Sequence, residues 1–385
     1  MMSSIIGIDV SQKSSSFHLI GAGNKEGIDG SFSMDREGFE SLLAQAGCTD
    51  TSRFVMESTG RYHITLAHFL LQKGHQTFIV NPVLVKQFSK AHTLRKTKTD
   101  KVDARTIASF AQSGTAAMDN TGRAMDDQRL SIARRREQVA EEVAKAKTQL
   151  KADLTVAFPE ILTLDVFTMG MLRLLGRFPC ASSIQEASDE QLQQALKGER
   201  GRGLSLTVAQ LRELATDSIG LPSYGPLVSD SAESLLFLNR KLDGLTDQLI
   251  AIVRQTQGEE MDIITSIHGI GETTAAHFLT EIGSIDRFER YQNLIAFCGT
   301  DPGIYQSGAI TKRGKITKHG NASLRKYLYL MAMGLIRCNP HFKAFYDKKR
   351  AEGFPHRKAM VALMNKLIKT LFAMLKKKEK FIVQS

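Results

Sequence analysis

The stretch Ile-Ile-Gly-Ile-Asp-Val at residues 5–10 constrains the fold most: it is apolar, too short for a stable helix, and ends beside a carboxylate. Such a run is a buried strand whose end carries a charge in need of a partner. Phe17–Ile20 and Gly30–Ser33 follow across glycine-containing turns, which predicts an antiparallel meander. Beyond them the period changes. Arg36–Ala46 places Phe39, Leu42 and Leu43 on one helical side, Arg53–Met56 is a strand closed by Glu57, and Tyr62–Gln72 is a helix stopped at Gly74. Gln76–Val80 is a strand ended by Asn81-Pro82, and Val83–Ala91 and Val102–Gln112 have helical spacing. Three strands followed by helix–strand alternation is the order of an α/β RNase H-like (RuvC-like) domain, a sheet of mixed direction flanked by helices.

From about Asp126 to Asp153 the chain is dense in Arg, Glu, Lys, Gln and Ala, with Leu130, Ala133, Val139, Val143 and Leu150 on a thin apolar face. This is a candidate coiled-coil arm. A second such stretch, Ser229–Gln255, can pair with it antiparallel through Leu235, Leu238, Leu242, Leu245, Leu249 and Ile252. Between them, Phe158–Tyr224 is punctuated by prolines and reads as a small helical insert. The last part is expected to be mainly α, with a Gly-Ile-Gly turn in SIHGIGETTAAHFLTEIG and a loop over Ile304–Asn321. A helix from Ala322 to about Ile336 and a last helix over Arg357–Lys378 complete it. The expected division is a metal-binding RuvC-like domain over 1–120, a helical coiled-coil arm with its insert over 121–260, and a basic C-terminal domain over 261–385.

The net charge of +11 is unevenly spread. Asp301 to Ser385 holds 19 Lys and Arg against 4 Asp and Glu, a balance of +15, which leaves the first 300 residues at −4. A basic block of this kind suits a phosphate backbone, where each neutralised phosphate releases counterions. The apolar stretches are too short and interrupted for a membrane span, and the start lacks a basic leader with a cleavage site. Cys48, Cys180, Cys298 and Cys338 lack metal-ligand spacing and are expected to be free thiols in a reducing, cytoplasmic setting.

Four acids stand out. Asp9 and Glu57 close apolar strands, and Asp100 and Asp103 sit three apart at the start of a helix. In the expected topology the two strands are central neighbours and the helix crosses their ends, so the carboxylates can converge. Converging carboxylates repel unless a cation lies between them, and two Mg2+ or Mn2+ ions would suit phosphodiester cleavage. Salt-bridge or capping roles are the alternative, such as Asp103 with Lys101 or Arg105. The bases around this pair, Arg95, Lys96, Lys98, Lys101 and Arg105, are candidates to guide a DNA backbone. Further along, Gly269 and Gly271 can present backbone N–H groups to phosphate, as in a helix-hairpin-helix, or simply let two helices turn. Ser307, beside Gly308, precedes Lys312, Arg313, Lys315, Lys318, Arg325 and Lys326; a serine among such cations can be a nucleophile or an ordinary turn residue.

The segments GIDVS, MESTG, KTKTDKVDARTIA, SIHGIGETTA, CGTDPGIYQSG and GKITKHGNASLRKYLY together resemble the Piv invertase family of DEDD insertion-sequence transposases. The resemblance covers about residues 1–155 and 228–375. It implies a transposase or site-specific recombinase whose RuvC-like domain holds metal on Asp9, Glu57, Asp100 and Asp103. It also implies a C-terminal serine domain in which Ser307 attacks DNA to form a phosphoserine link. Thr311, Thr317 and Ser323 are neighbours of that position. A homo-oligomer, dimer or tetramer, with a composite site is implied as well, and some members use a structured noncoding guide RNA while others invert DNA. Three other readings stay open: a RuvC-like junction endonuclease using metal-activated water, an actin-like ATPase or sugar kinase, and a DNA-binding protein without catalysis.

Overall fold

A computed structural model describes residues 4–21, 27–47, 52–57, 61–80, 82–92, 100–113, 119–120, 128–197, 203–307, 310–316 and 320–382. The chain divides into two compact units, residues 1–128 and 129–385.

The first unit begins with three strands, β1 (Ile5–Asp9), β2 (Ser14–Ile20) and β3 (Ile28–Ser33), and the helix α1 (Arg36–Gln45). Asp35 caps α1 by accepting from the Gly38 N–H at 2.8 Å. There follow β4 (Arg53–Glu57), α2 (His63–Gln72), β5 (Gln76–Val80), α3 (Pro82–His92), α4 (Asp100–Gln112) and the two-residue β6 (Asp119–Asn120). The sheet order is β3-β2-β1-β4-β5-β6. The β1–β2 and β2–β3 pairs are antiparallel, as the short links require, while β1–β4 and β4–β5 are parallel, as their crossover helices require. Both faces are covered. Ile6, Ile8, Phe54 and Met56 pack with Phe39 and Leu42 of α1 and Leu66 and Leu70 of α2. Ile5, Val55 and Val80 pack on the other side with Val85 of α3 and Ile107, Ala108 and Ala111 of α4.

The second unit starts with α5 (Gln128–Ala157), followed by the short helices α6 (Met169–Arg177), α7 (Ala181–Glu186), α8 (Asp189–Leu196) and α9 (Val208–Thr216). The 41-residue α10 (Gly225–Thr265) then runs back along α5. Three contacts fix the antiparallel direction: Arg129 donates to Gln257 at 2.5 Å, Arg136 to Thr246 at 2.7 Å, and Ser231 to Asp153 at 2.6 Å. The helix breaks at Gln257, with φ −144° and ψ 46°, where the side chain turns aside to donate to the Gly283 carbonyl at 2.7 Å. At one end of the pair the insert packs Leu172, Leu175, Leu192 and Leu211 onto Val143, Leu150, Leu154 and Leu235.

At the other end a second core gathers α11 (Glu272–Ile282), α12 (Tyr291–Cys298), α13 (Ala322–Cys338), α14 (Pro340–Ala351) and α15 (His356–Lys377). The expected loop over Ile304–Asn321 is instead an antiparallel hairpin, β7 (Pro302–Ser307) and β8 (Ile310–Ile316). Its Gly, Lys and Arg content reads as a turn, yet the backbone pairs from Pro302↔Ile316 to Ser307↔Ile310. Among the described residues no helix is long and apolar enough to cross a membrane.

Candidate active site

The described acids are positioned by alternation and by one glycine. Side chains along a strand point to opposite faces in turn. Because Ile5 and Val55 face α4 while Ile6, Ile8, Phe54 and Met56 face away, Asp9 and Glu57 fall on the α4 side. Both lie one residue beyond the Ile8↔Met56 pair of the parallel β1–β4 ladder, so they end neighbouring strands in register. A Cβ on Gly7 would overlap the Ala108 N, the Ala104 O and the Ala108 Cβ. Glycine therefore lets α4 rest directly on the β1 backbone. Asp103 immediately precedes Ala104 at this contact, and Asp9 is two residues along the strand.

Asp9, Glu57 and Asp103 are half-buried, and none is without an interaction partner. Hard carboxylate oxygens of this kind are the ordinary donors for Mg2+ or Mn2+. Among the described residues, however, no three His, Cys, Asp or Glu groups form a cation-holding cluster. Asp100 opens α4, and its side chain lies outside the described residues. The carboxylate chemistry suits a divalent cation, while the three described acids do not by themselves form a cluster that could hold one.

Arg105, on the same helix, has a partner of its own. Its Nε donates to Asp29 Oδ1 of β3 at 3.1 Å, and its Nη2 contacts Asp29 Oδ2. His18 Nδ1 lies 2.7 Å from Asp29 Oδ1. The Arg105 hydrogen bond, helped by His18, holds the Asp29 carboxyl down at about 2, although partial burial opposes this. The contribution of this bridge to stability is present above the usual carboxylate range and is lost as pH falls through about 2. An NMR titration should find the Asp29 midpoint near 2, and Arg105→Leu should raise it toward the ordinary value of 3.8. An unchanged midpoint in the variant would remove Arg105 as the cause.

Arg95, Lys96 and Lys98 lie outside the described residues, and of Lys101 only the backbone, in α4, is described. In the second unit, Gly269 has φ +104°, and a Cβ there would come 3.0 Å from the Gly334 carbonyl of α13. Gly269 thus serves a tight helix-to-helix turn, and Gly271 caps α11 from an extended conformation without a side chain. The Arg325 guanidinium donates to the Cys298 carbonyl at 2.9 Å, and Lys326 lies 3.6 Å from Glu137. Lys312, Arg313 and Lys315 ride on β8, while Lys318 and Thr317 lie outside the described residues. Ser307 is the last residue of β7 and pairs with Ile310 at the hairpin tip, with Thr311 across from Gln306. Ser323 is buried and donates to Glu137 at 3.0 Å, so its hydroxyl is already engaged.

One polar cluster escaped the sequence reading. Glu281 and His277 lie on α11 inside the core of the second unit. Arg134 and Asn321 hold the Glu281 carboxylate, and His277 stacks on Tyr327 of α13 with ring centroids 3.7 Å apart. The Tyr327 hydroxyl accepts from Arg136 at 3.1 Å, and burial pushes its pKa up to about 12. The signal available was His277, Thr280 and Glu281 set among the apolar residues of Ala-Ala-His-Phe-Leu-Thr-Glu-Ile.

Two family models match the chain. One, described as a transposase and covering the DEDD domain of the IS110 type, spans residues 6–159. The other, described as transposase of the IS116/IS110/IS902 family, spans residues 261–347. By class, then, the chain is a transposase. It carries the paired transposase domains of the IS110/IS116 family of insertion sequences. Among its relatives is the uncharacterized protein of insertion element IS110 from Streptomyces coelicolor, 25% identical over 72% of this chain and 71% of that protein. The pilin gene-inverting protein of Moraxella bovis is 23% identical over 99% of this chain and 98% of its own length. The transposase of element IS1111A from Coxiella burnetii is 30% identical over 44% of this chain and 47% of that protein.

Proposed function

We propose that the chain cuts and rejoins DNA with Asp9, Glu57, Asp100 and Asp103 as ligands for Mg2+ or Mn2+ and Ser307 as the nucleophile. The observation that supports this reading is the seating of α4 on Gly7, two residues before Asp9, through Ala104 and Ala108, the first of which directly follows Asp103. The mixed sheet, antiparallel at β3-β2-β1 and parallel at β1-β4-β5, supports an RNase H-like assignment. Bound there, divalent cations supply the positive charge that a phosphodiester needs as its charge builds up.

The rest falls to the side chains. Attack by the Ser307 oxygen forms a serine–phosphorus bond as one phosphorus–oxygen bond of the strand breaks. The serine proton is released, and the freed strand end leaves as a hydroxyl. The reverse attack, by the hydroxyl of a different end, rejoins DNA with no outside energy source, because the phosphoserine keeps the bond energy. Lys312, Arg313 and Lys315, on the strand paired with β7, and Lys318 beyond it supply charge for the backbone. A homo-oligomeric assembly and a structured guide RNA belong to the same reading. Inversion of a DNA segment is the second outcome considered, favoured by the near full-length similarity to a pilin gene-inverting protein.

Asp9→Asn and Ser307→Ala, assayed in cells on a plasmid carrying the gene with its flanking DNA, should each reduce recombination by at least about 1,000-fold. Undiminished recombination in Asp9→Asn would remove the metal assignment. Strand cleavage that persists in Ser307→Ala would instead favour a nuclease using activated water.

A further inference from the structure

The hairpin that bears Ser307 is clamped at its base. Gly299 and Gly320 flank it and meet so closely that a Cβ on Gly299 would lie 2.6 Å from the Gly320 N. On the outgoing side, Thr300 donates to Asn365 of α15 at 2.7 Å. On the returning side, the Asn321 N–H donates to the Phe297 carbonyl at 2.7 Å. The Asn321 side chain has two further tasks. Its Oδ1 accepts from the Leu324 N–H at 3.0 Å and so caps α13, while its Nδ2 donates to Glu281 Oε2 at 2.6 Å.

Glu281 has a side chain only 2% exposed, and it also receives Arg134 of α5. The guanidinium spans the carboxylate, with Nη2 hydrogen-bonded to Oε2 at 3.1 Å and Nη1 in ionic contact with Oε1 at 3.1 Å. One turn on, Glu137 of α5 holds Ser323 at 3.0 Å and Lys326 at 3.6 Å. Two links therefore run from the long helix α5 to the first turns of α13, where the hairpin returns. The carboxylate is buried while the Arg134 side chain is 46% exposed and reaches in from the surface, so little stability is expected from the pair. What the pair does provide is direction: the two-point, charge-assisted bridge from Arg134 orients the Glu281 carboxylate toward Asn321.

We propose that Glu281 is a positioning residue for strand transfer, its carboxylate joining Arg134 to Asn321 so that the base of the Ser307 hairpin is held in register with α5. This rests on the reading of Ser307 as the nucleophile. Glu281 itself touches neither DNA nor metal in this account. Small displacements of a nucleophile are costly, and a shift of about 1 Å can lower a rate by about 100-fold.

The test uses the purified full chain, with any nucleic acid it retains, and a plasmid carrying its own gene and flanking DNA. Glu281→Gln keeps the shape and loses the charge that holds Arg134. Asn321→Ser keeps a good helix cap for α13 but is too short to reach Glu281, so it cuts the bridge even if Glu281→Gln folds poorly. For Asn321→Ser the covalent-adduct rate at saturating DNA should fall at least about tenfold. DNA affinity should stay within about twofold and the circular dichroism should be unchanged. Glu281→Asp, which keeps the charge, should recover part of the rate lost in Glu281→Gln. Rates equal to wild type in Asn321→Ser, or rate and affinity falling together, would overturn the proposal. If wild type and Ser307→Ala behave alike, it is the nucleophile assignment that fails, and that outcome is distinguishable because it does not involve the bridge variants.

Discussion

Gly7→Ala should destabilise the first unit by about 3 kcal/mol and abolish recombination even in the fraction that stays folded. The added Cβ meets backbone atoms of α4, the Ala108 N and the Ala104 O, and backbone cannot swing aside as a flexible side-chain end can. The helix must lift from β1. That loosens the core made by Ile5, Val55, Ile107, Ala108 and Ala111, and under the proposed function it also displaces the helix that bears two of the proposed metal ligands. A domain with about 5–15 kcal/mol of total stability tolerates such a loss only in part. Gly244→Ala is the control: it lies within α10 and nothing is within 4 Å of the added Cβ, so it should be neutral or stabilising by up to about 1 kcal/mol. Denaturant titration of both variants checks the pair. A Gly7→Ala unfolding curve that overlays wild type would mean that α4 does not rest on Gly7.

The second large effect is acid sensitivity in the other unit. The His277 ring is fully buried, stacked on Tyr327, and neither ring nitrogen has a hydrogen-bond partner. Burial, reinforced by the nearby cations Arg136, Lys326 and Arg134, pushes its pKa down to about 3 from 6.5. Below pH 6.5 the unfolded chain takes up a proton that the folded chain refuses until about 3. Stability is therefore lost progressively as pH falls across that window, by up to about 5 kcal/mol at its acid end. His277→Phe keeps the stacked ring and removes both the proton site and two unsatisfied nitrogens. The variant should match or exceed wild-type stability at pH 7, and its advantage should widen by several kcal/mol toward pH 4. Parallel stability curves for the two proteins would show that His277 is protonated, or solvated, in the fold.

The first unit was largely legible because its signals are periodic. Short apolar runs in Ile5–Asp9 and Arg53–Glu57, helical spacing in α1 and α2, and stops at Gly74 and Pro82 each state a local preference that the tertiary fold does not override. The placement of Asp9 and Glu57 at strand ends followed from the same apolar runs, which each of them closes. The close seat of α4 on the bare backbone at Gly7 was not legible, because Gly7 looked like any strand glycine until its neighbours Ala104 and Ala108 were known.

The second unit was legible in outline only. The arms announced themselves through their leucines, but the kink at Gln257 comes from one amide reaching Gly283, a non-local hydrogen bond without a sequence pattern. The β7–β8 hairpin was hidden by Gly, Lys and Arg, which favour turns and solvated surface. The separate α14 was hidden because Asn339 both ends α13 and caps the next helix, accepting from the Phe342 N–H at 3.4 Å. The Glu281–Arg134–Asn321 bridge joins residues 40 and 147 positions apart, a spacing that no single-sequence periodicity carries.

The most direct test of the whole account is to trap the chain on DNA and find the attachment point. Cells carrying the gene with its flanking DNA would be lysed under denaturing conditions, and the covalently bound protein would be digested and sequenced by mass spectrometry. A nucleotide-modified peptide with the phosphate on Ser307 is expected, absent from Ser307→Ala and from Asp9→Asn alike. A phosphate on any other residue, or full recombination with no covalent link in wild type, would contradict it.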